Sequence, residues 1–350
     1  MRKIAVLNQK GGVGKTTTVA NIAAALAMKG RRVVVIDLDP QAHLTIHFGI
    51  NADTDGNGSY DVLTKSASFA DALINIRENL YVLGANIDLV GAESELVSVV
   101  GRETILAEAI EKVEDRFDYL LIDCPPSLGL LSLNALASVD EVFIPIQPHF
   151  LALQGFGKLL QTVTLVNKRI NPTLKITAIL LCMFDTRVTL SSEVKADIES
   201  FLTNARTQDV PWSDAIILPI HVRRNIKLAE APSYGKTIFE YEPDCNGASD
   251  YMAIAEFMDT KMRNSASNRS SQVPSITEPV PVAEEPVIPE VVAVAEEITE
   301  HQAAAAIETP DQNAEVLPQE PIVEQVNTDQ PAKDNEPFDF AHLKYKPQTE

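Results

Sequence analysis

Residues 10–17 have the composition of a phosphate-binding loop. They read Lys-Gly-Gly-Val-Gly-Lys-Thr-Thr and closely follow an apolar run at residues 4–7. Glycines let the backbone wrap around an anion, and the start of the next helix adds the positive end of its dipole. Lys15 can reach the β- and γ-phosphates of a nucleotide, and the Thr16 hydroxyl can ligate Mg²⁺. The pattern predicts a nucleotide site made of Gly11, Gly12, Val13, Gly14, Lys15, Thr16 and Thr17.

The loop departs from the usual pattern at its beginning. In the pattern G-x-x-x-x-G-K-[ST], the first glycine would stand at Gln9. The loop instead carries a second lysine, Lys10. A loop wrapped around its own phosphates has little room for two lysines, so we predict that Lys10 points toward a nucleotide held by another subunit.

Carboxylates stand at the ends of two further apolar runs. Asp37 and Asp39 follow the run at 33–36, and Asp123 follows the run at 119–122. In a parallel sheet these strand ends meet at one edge, which is where nucleotides bind. Spacing alone shows only that two carboxylates end one strand and a third ends another.

These segments resemble the ParA/Soj branch of the ParA/MinD family of dimeric ATPases. Residues 10–17 resemble the family's deviant Walker A motif, and residues 37–41 resemble its second motif. Residues 119–127 resemble its Walker B strand and switch, and residues 224–236 resemble a segment typical of the ParA/Soj branch. The four motifs occur in the family's order, and the resemblance runs from about residue 1 to about residue 263.

The resemblance implies a specific set of cofactors and residue roles. ATP and Mg²⁺ would be the cofactors, and Lys10 would act across an ATP-dependent homodimer. Lys15 would bridge the β- and γ-phosphates, and Asp39 would position the attacking water. Magnesium would be held by Thr16 and Asp123, with Asp37 supporting the site indirectly. Hydrolysis would be slow until a partner protein acts on the dimer.

The same branch of the family binds DNA without sequence preference. Five basic residues fall in the stretches that carry its DNA-binding positive charges: Arg187, Arg223, Arg224, Lys227 and Lys236. Of these, Arg187 and Lys227 match positions where arginines do this in the family. Arg223 stands where the family usually has proline, so the local backbone could differ there. Contacts of this kind bind phosphates without reading bases and are strongly salt-dependent. A solvated charged surface is the alternative reading of these residues.

The implied function is that of a partitioning or positioning ATPase. An ATP-bound dimer would sit on nonspecific DNA, and a ParB-like or cargo-adaptor protein would stimulate hydrolysis. The cargo would be a chromosome, a plasmid or a protein assembly, and the chain is expected to be cytoplasmic and nucleoid-associated. The alternative is a MinD-like ATPase that positions partners on the membrane. That would need a basic amphipathic C-terminal helix, which the acidic, proline-broken end does not offer, and no membrane insertion is expected.

Composition sets further bounds on the class of protein. The chain has 350 residues, of which 45% are hydrophobic and 22% charged, as is ordinary for a globular protein. Cys124, Cys182 and Cys245 are widely separated, which argues against a metal or iron–sulfur centre and fits a reducing compartment. The net charge is −20, but residues 264–350 hold 17 acidic and 4 basic residues and so account for −13 of it.

Apolar runs alternate with helical patterns along the first 263 residues. Such continuous runs predict an α/β fold with a doubly wound, mostly parallel sheet and helices on both faces. Strands are predicted at 4–7, 33–38, 80–83, 119–122, 142–146 and 176–183, and helices at 15–29, 93–113, 128–137, 153–170, 191–205 and 248–263. We predict a P-loop ATPase domain at 1–263 and a disordered acidic tail, rich in Pro, Ala and Glu, at 264–350. The aromatic and basic residues at 337–347 suggest a docking motif or a chance cluster on a solvated tail.

Overall fold

The central feature of the fold is one mostly parallel β-sheet. The computed structural model describes residues 1–51, 56–149 and 154–262. Strands β1 to β8 lie in the order β3-β4-β2-β5-β1-β6-β7-β8, and β9 pairs with β7. Only the β3–β4 pair among these strands is antiparallel. The strands are β1 (Arg2–Val6), β2 (Val33–Asp37), β3 (Ile74–Arg77), β4 (Leu80–Leu83), β5 (Tyr119–Asp123), β6 (Glu141–Ile146), β7 (Lys175–Phe184), β8 (Ile216–Ile217) and β9 (Val222–Arg223).

Helices connect the strands and cover both faces of the sheet. They are α1 (Lys15–Met28), α2 (His43–His47), α3 (Ser59–Leu63), α4 (Leu89–Glu95), α5 (Ile105–Glu111), α6 (Leu130–Ser138), α7 (Gln154–Arg169), α8 (Thr189–Ala205), α9 (Lys227–Glu230), α10 (Ile238–Tyr241) and α11 (Asn246–Phe257). A π-helical turn at Met258–Met262 follows α11.

The sheet separates two hydrophobic cores. Along β1, Ile4 and Val6 pack into the core beneath α1 and α11, whereas Ala5 packs into the core beneath α5 to α8. All three side chains are fully buried. Strands covered on both faces need apolar residues at every position, which explains their continuous apolar runs. The predicted doubly wound α/β class is confirmed.

The predicted helix at 93–113 is wrong. The structure divides this segment into α4, a 3-10 turn at Leu96–Ser98 and α5. The turn ends at Val99 in extended conformation, and Val100 is 99% exposed. The valines at 97–100 therefore do not continue the buried face of a helix, although their apolar character suggested that they would.

Short elements were not predicted at all. β3, β8 and β9 and the helices α2, α3, α9 and α10 span two to five residues each, too few to show a hydrophobic period. α8 begins at Thr189 rather than at the predicted position 191. The acidic tail, the motif at 337–347, the domain boundary at 263/264 and the start of the predicted helix at 153 lie outside the described residues.

The strand order brings the candidate residues to one edge of the sheet. β1 lies at the centre, with β5 on one side and β6 on the other. The loop after β1 therefore opens between the ends of β5 and β6. In doubly wound sheets, ligands bind at such a point, where the strand order reverses.

Candidate functional site

The loop between β1 and α1 forms a concave backbone turn. Gly12 and Gly14 have φ values of +73° and +93°, which a residue with a Cβ rarely adopts. Gly14 precedes α1 and accepts the Thr18 N–H at 2.9 Å. The amides of the first helical turn have no partners within the helix, and they carry the positive end of its dipole. The loop can therefore bind an anion through its backbone. The Val13 side chain is buried, so only its backbone is available for this.

Lys15 brings a positive charge into this turn. It is the first residue of α1 and is only 8% exposed. Within the described chain it makes no ion pair at 4 Å or less. A buried ammonium group requires a counter-charge. The charge of Lys15 lowers the pKa of the nearby Asp123 carboxyl, and the phosphates of a nucleotide would supply further negative charge.

Thr16 and Asp123 meet across the loop and the end of β5. The Thr16 hydroxyl donates a hydrogen bond of 2.6 Å to Asp123 Oδ2. Asp123 is buried, and its Oδ1 has no hydrogen-bond partner. Burial, followed by the nearby charge of Asp37, raises the pKa of Asp123 well above its usual range. A hydroxyl and a buried carboxylate with a free oxygen fit a hard divalent cation such as Mg²⁺.

Asp37 is engaged by the chain itself. It lies opposite Asp123 in the register of β2 and β5. Its Oδ2 accepts the Thr45 N–H at 2.9 Å and the Thr45 hydroxyl at 2.8 Å, and its Oδ1 accepts the Asp39 N–H at 3.1 Å. Burial raises the pKa of Asp37. These bonds fit support of the segment after β2 better than direct contact with a metal.

Asp39 lies two residues beyond the end of β2 and is half-buried. Its Oδ1 accepts the Gln41 N–H at 3.0 Å. Its Oδ2 has no hydrogen-bond partner among the described residues. Asp39 is therefore a carboxylate with one oxygen held by the backbone and one oxygen still able to accept a hydrogen bond from water.

Lys10 is held by contacts with Asn8 and His149. Its N–H bonds to Asn8 Oδ1 at 3.0 Å, and the Asn8 side chain donates to the Pro145 carbonyl at 2.7 Å. The Lys10 ammonium contacts Nε2 of His149, three residues after β6. Sequence reasoning missed His149, although its place beyond a strand end at this edge was a usable signal.

The five basic residues assigned to DNA differ in how free they are. Arg187 forms a two-pronged ion pair with Asp185 at 2.7 Å, but the arginine side chain stays 86% exposed. Arg223 is bound to the buried carboxylate of Asp250 at 2.6 Å. The structure thus gives Arg223 a tertiary role that the sequence did not suggest.

The remaining three basic residues lie on α9 and the segments beside it. Lys227 pairs with Glu230 at 2.9 Å and lies over the ring of Tyr241. Arg224 and Lys236 are exposed and form no ion pair within the described chain. The positive charge of Arg224 also helps to lower the pKa of the Asp185 carboxyl, which indicates that the two side chains are near each other. The structure therefore brings Arg224 close to the Arg187 region.

Comparison with known proteins identifies the family. A family model described as an AAA domain matches residues 1–176. The chain is 42% identical to the sporulation initiation inhibitor protein Soj of Bacillus subtilis over 254 residues, 72% of this chain and 96% of Soj. It is 39% identical to the chromosome partitioning protein ParA of Myxococcus xanthus over 254 residues, 72% of this chain and 86% of that protein.

A solved structure agrees with the fold. It is cobyrinic acid a,c-diamide synthase from Mycobacterium smegmatis with a bound ATP analogue and magnesium, which is 37% identical. The match has a TM-score of 0.63 and covers 79% of this chain and 100% of that one. The motifs, the sheet and these relatives lead to one conclusion: the chain belongs to the ParA/Soj branch of the ParA/MinD family of ATPases.

Proposed function

We propose that this ParA-like ATPase binds ATP and Mg²⁺ at the edge of the sheet and dimerises when ATP is bound. The dimer then binds nonspecific DNA, and hydrolysis stimulated by a partner protein releases it. This cycle partitions or positions a cargo. The observation that carries the proposal is the Thr16–Asp123 pair beside the glycine loop, with one buried carboxylate oxygen left free.

Each residue of the site has a role in this proposal. The loop amides and Lys15 bind the phosphates, and Thr16 and Asp123 hold the metal. Magnesium supplies charge neutralisation on the phosphates when it is bound. Asp37 fixes the segment that carries Asp39. Asp39 orients the attacking water, a role supported by its free oxygen and its fixed backbone.

Dimerisation is proposed from Lys10. The ammonium group contacts His149, and it forms no ion pair within the described residues. A positive group supplied from outside a phosphoryl-transfer site can raise the rate by about 10³–10⁵. Lys10 would supply such a group to the nucleotide of the second subunit. ATP would therefore be needed for the dimer to form.

DNA binding is proposed for Arg187, Arg224, Lys227 and Lys236. The exposed side chains of Arg224 and Lys236 support it most directly, since neither is neutralised by a partner in the described chain. Arg187 and Lys227 would exchange their carboxylate partners for phosphates. Arg223 is assigned a smaller part in DNA binding. If Arg223 left Asp250 to bind a phosphate, the buried carboxylate of Asp250 would lose its charged partner, which is costly.

The proposed cargo is supported by the names of the relatives. Two of them are named for chromosome partitioning or for control of sporulation. A chromosome, plasmid or protein assembly attached through a ParB-like or adaptor protein is the cargo that we propose, with the ATPase cytoplasmic and associated with the nucleoid. In the described residues, no helix is long and apolar enough to cross a bilayer.

The test of this site uses the Thr16 hydroxyl. Thr16→Val removes the hydroxyl and keeps the shape of the side chain, whereas Thr16→Ser keeps the hydroxyl. We expect ATP hydrolysis titrated with Mg²⁺ to need far more metal in Thr16→Val and to be nearly normal in Thr16→Ser. Identical magnesium titrations for all three chains would remove Thr16 as a ligand of the metal.

A further inference from the structure

The arm of the loop that carries Lys10 is tied to the segment after β6. Asn8 Nδ2 donates to the Pro145 carbonyl at 2.7 Å, and Asn8 Oδ1 accepts the Lys10 N–H at 3.0 Å. The Lys10 ammonium then contacts His149 Nε2. Backbone and side chain of Lys10 are thus both fixed against the same protomer.

The contact requires a particular form of the histidine. An ammonium group has only donors, so Nε2 must accept and the ring proton must be on Nδ1. Burial lowers the pKa of His149, and the charge of Lys10 lowers it further. At neutral pH the ring is therefore uncharged and can accept. Lys10 is the only charged group that faces the ring among the described residues, and residues 150–153 contain no ionisable side chain.

We propose that His149 is a positioning residue that holds Lys10 within its own protomer until a dimer forms. The inference rests on the proposed function, in which Lys10 acts on the nucleotide of the second subunit. In the proposed dimer, the Lys10 ammonium group reaches from its own protomer to the phosphates of the second subunit and so leaves His149. Each protomer must therefore break the Lys10–His149 contact on dimerisation. The free energy needed to break it disfavours dimers that lack ATP, and we call this cost the threshold.

The first test measures the contact without nucleotide. The full chain is labelled briefly with an amine-reactive N-hydroxysuccinimide ester, and mass spectrometry follows each lysine. We expect Lys10 to react about tenfold faster in His149→Ala, the factor that corresponds to one hydrogen bond of typical strength. In His149→Gln, which keeps an acceptor, Lys10 should react nearly as slowly as in the unaltered chain. Lys65, an exposed lysine far from the site in sequence, is the internal control.

The second test measures the consequence for the dimer. Sedimentation with Mg²⁺ and a non-hydrolysable triphosphate gives the dimer dissociation constant. We expect it to fall by about a hundredfold in His149→Ala, because two contacts, one in each protomer and each corresponding to about tenfold, no longer have to be broken. Acidification protonates His149, and the charged ring then repels Lys10. The unaltered chain should therefore dimerise more tightly at lower pH, whereas the dimer dissociation constant of His149→Ala should not show this pH dependence.

The outcomes separate the inference from the proposed function. Equal Lys10 labelling in the unaltered chain and His149→Ala would overturn the contact. Equal dimer constants and equal pH profiles would overturn its effect on dimerisation. An unaltered chain that binds nucleotide yet never dimerises would refute the proposed dimer itself, and the threshold with it, whether or not Lys10 labelling differs. Circular dichroism checks the folding of each variant, and His149→Gln serves if His149→Ala is unstable.

Discussion

The Thr16 hydroxyl lies 2.6 Å from Asp123 Oδ2, although the two residues are 107 positions apart in the chain. The parallel pairing of β1 and β5 produces this meeting, because Val6 is in register with Asp123. The loop after β1 then places Thr16 over the end of β5. The second oxygen of Asp123 is buried without a partner. A hydroxyl and a free buried oxygen at this point form the core of the proposed magnesium site.

Lys15→Ala should weaken nucleotide binding strongly. The side chain is buried beside the loop without an ion pair in the described residues, so the phosphates are its proposed counter-charge. Loss of a charged hydrogen bond of about 1.5–3 kcal/mol weakens binding by roughly 10- to 100-fold. Fluorescence titration with a labelled ATP measures this, with Lys65→Ala as the exposed control. Unchanged affinity in Lys15→Ala would refute the loop assignment.

Asp39→Ala should bind ATP and fail to hydrolyse it. The carboxylate has one oxygen bonded to the Gln41 N–H and one oxygen free for water. Removal of a group that assists proton transfer lowers kcat by about 10²–10⁴. Steady-state phosphate release at saturating ATP measures this, with Asp209→Ala as an exposed carboxylate control. If Asp39→Ala turns over ATP at the normal rate, another group positions the water.

Arg224→Glu combined with Lys236→Glu should weaken DNA binding. Both side chains are exposed and unpaired in the described chain. Each phosphate contact contributes about 0.9 to the slope of log K against log salt, so the loss of two should reduce the slope by about 2. Fluorescence anisotropy with duplexes of unrelated sequence, measured at several salt concentrations, gives that slope.

The matched control for DNA binding is Lys65→Glu combined with Lys195→Glu. This pair changes the net charge by the same amount at other exposed sites. It should leave the salt slope unchanged. A slope that falls equally in both double variants would mean that overall charge, rather than this surface, governs DNA binding.

His47 should make folding stability depend on pH. Its ring is buried, its Nε2 has no partner, and burial lowers its pKa to about 4. The unfolded chain takes up this proton near its ordinary pKa of about 6.5. The contribution of neutral His47 to the free energy of unfolding is therefore fully present above about pH 6.5. It falls by about 3 kcal/mol as the pH drops to about 4.

The variant that checks this is His47→Asn, which keeps a side-chain donor and does not titrate. Urea unfolding between pH 7 and pH 4 should show a flatter stability curve for the variant than for the unaltered chain. If both curves have the same slope over this window, His47 is not the group that titrates.

Most of the features that position the candidate site could be predicted from the sequence. Continuous apolar runs predicted the parallel strands, and the carboxylates after them predicted which edge would carry Asp37, Asp39 and Asp123. The glycine loop predicted the anion cradle. These features are local in sequence, and the rule that parallel strands end at one edge converts them into a spatial cluster.

Other features could not be predicted, because they depend on tertiary contacts. Nothing near Arg223 in the sequence indicates that Asp250 would bind it. The contact between Lys10 and His149 depends on the pairing of β1 with β6. The break between α4 and α5 depends on which of the apolar residues in this segment are buried in the folded chain. Each is decided by residues far apart in the chain.

The most direct test of the account is the molar mass of the full chain with Mg²⁺ and a non-hydrolysable triphosphate bound, measured by light scattering. We predict twice the 38.2 kDa of one chain, and a return to the mass of one chain in Lys10→Ala with nucleotide still bound. An unaltered chain that remains at the mass of one chain while it holds the triphosphate would contradict the account.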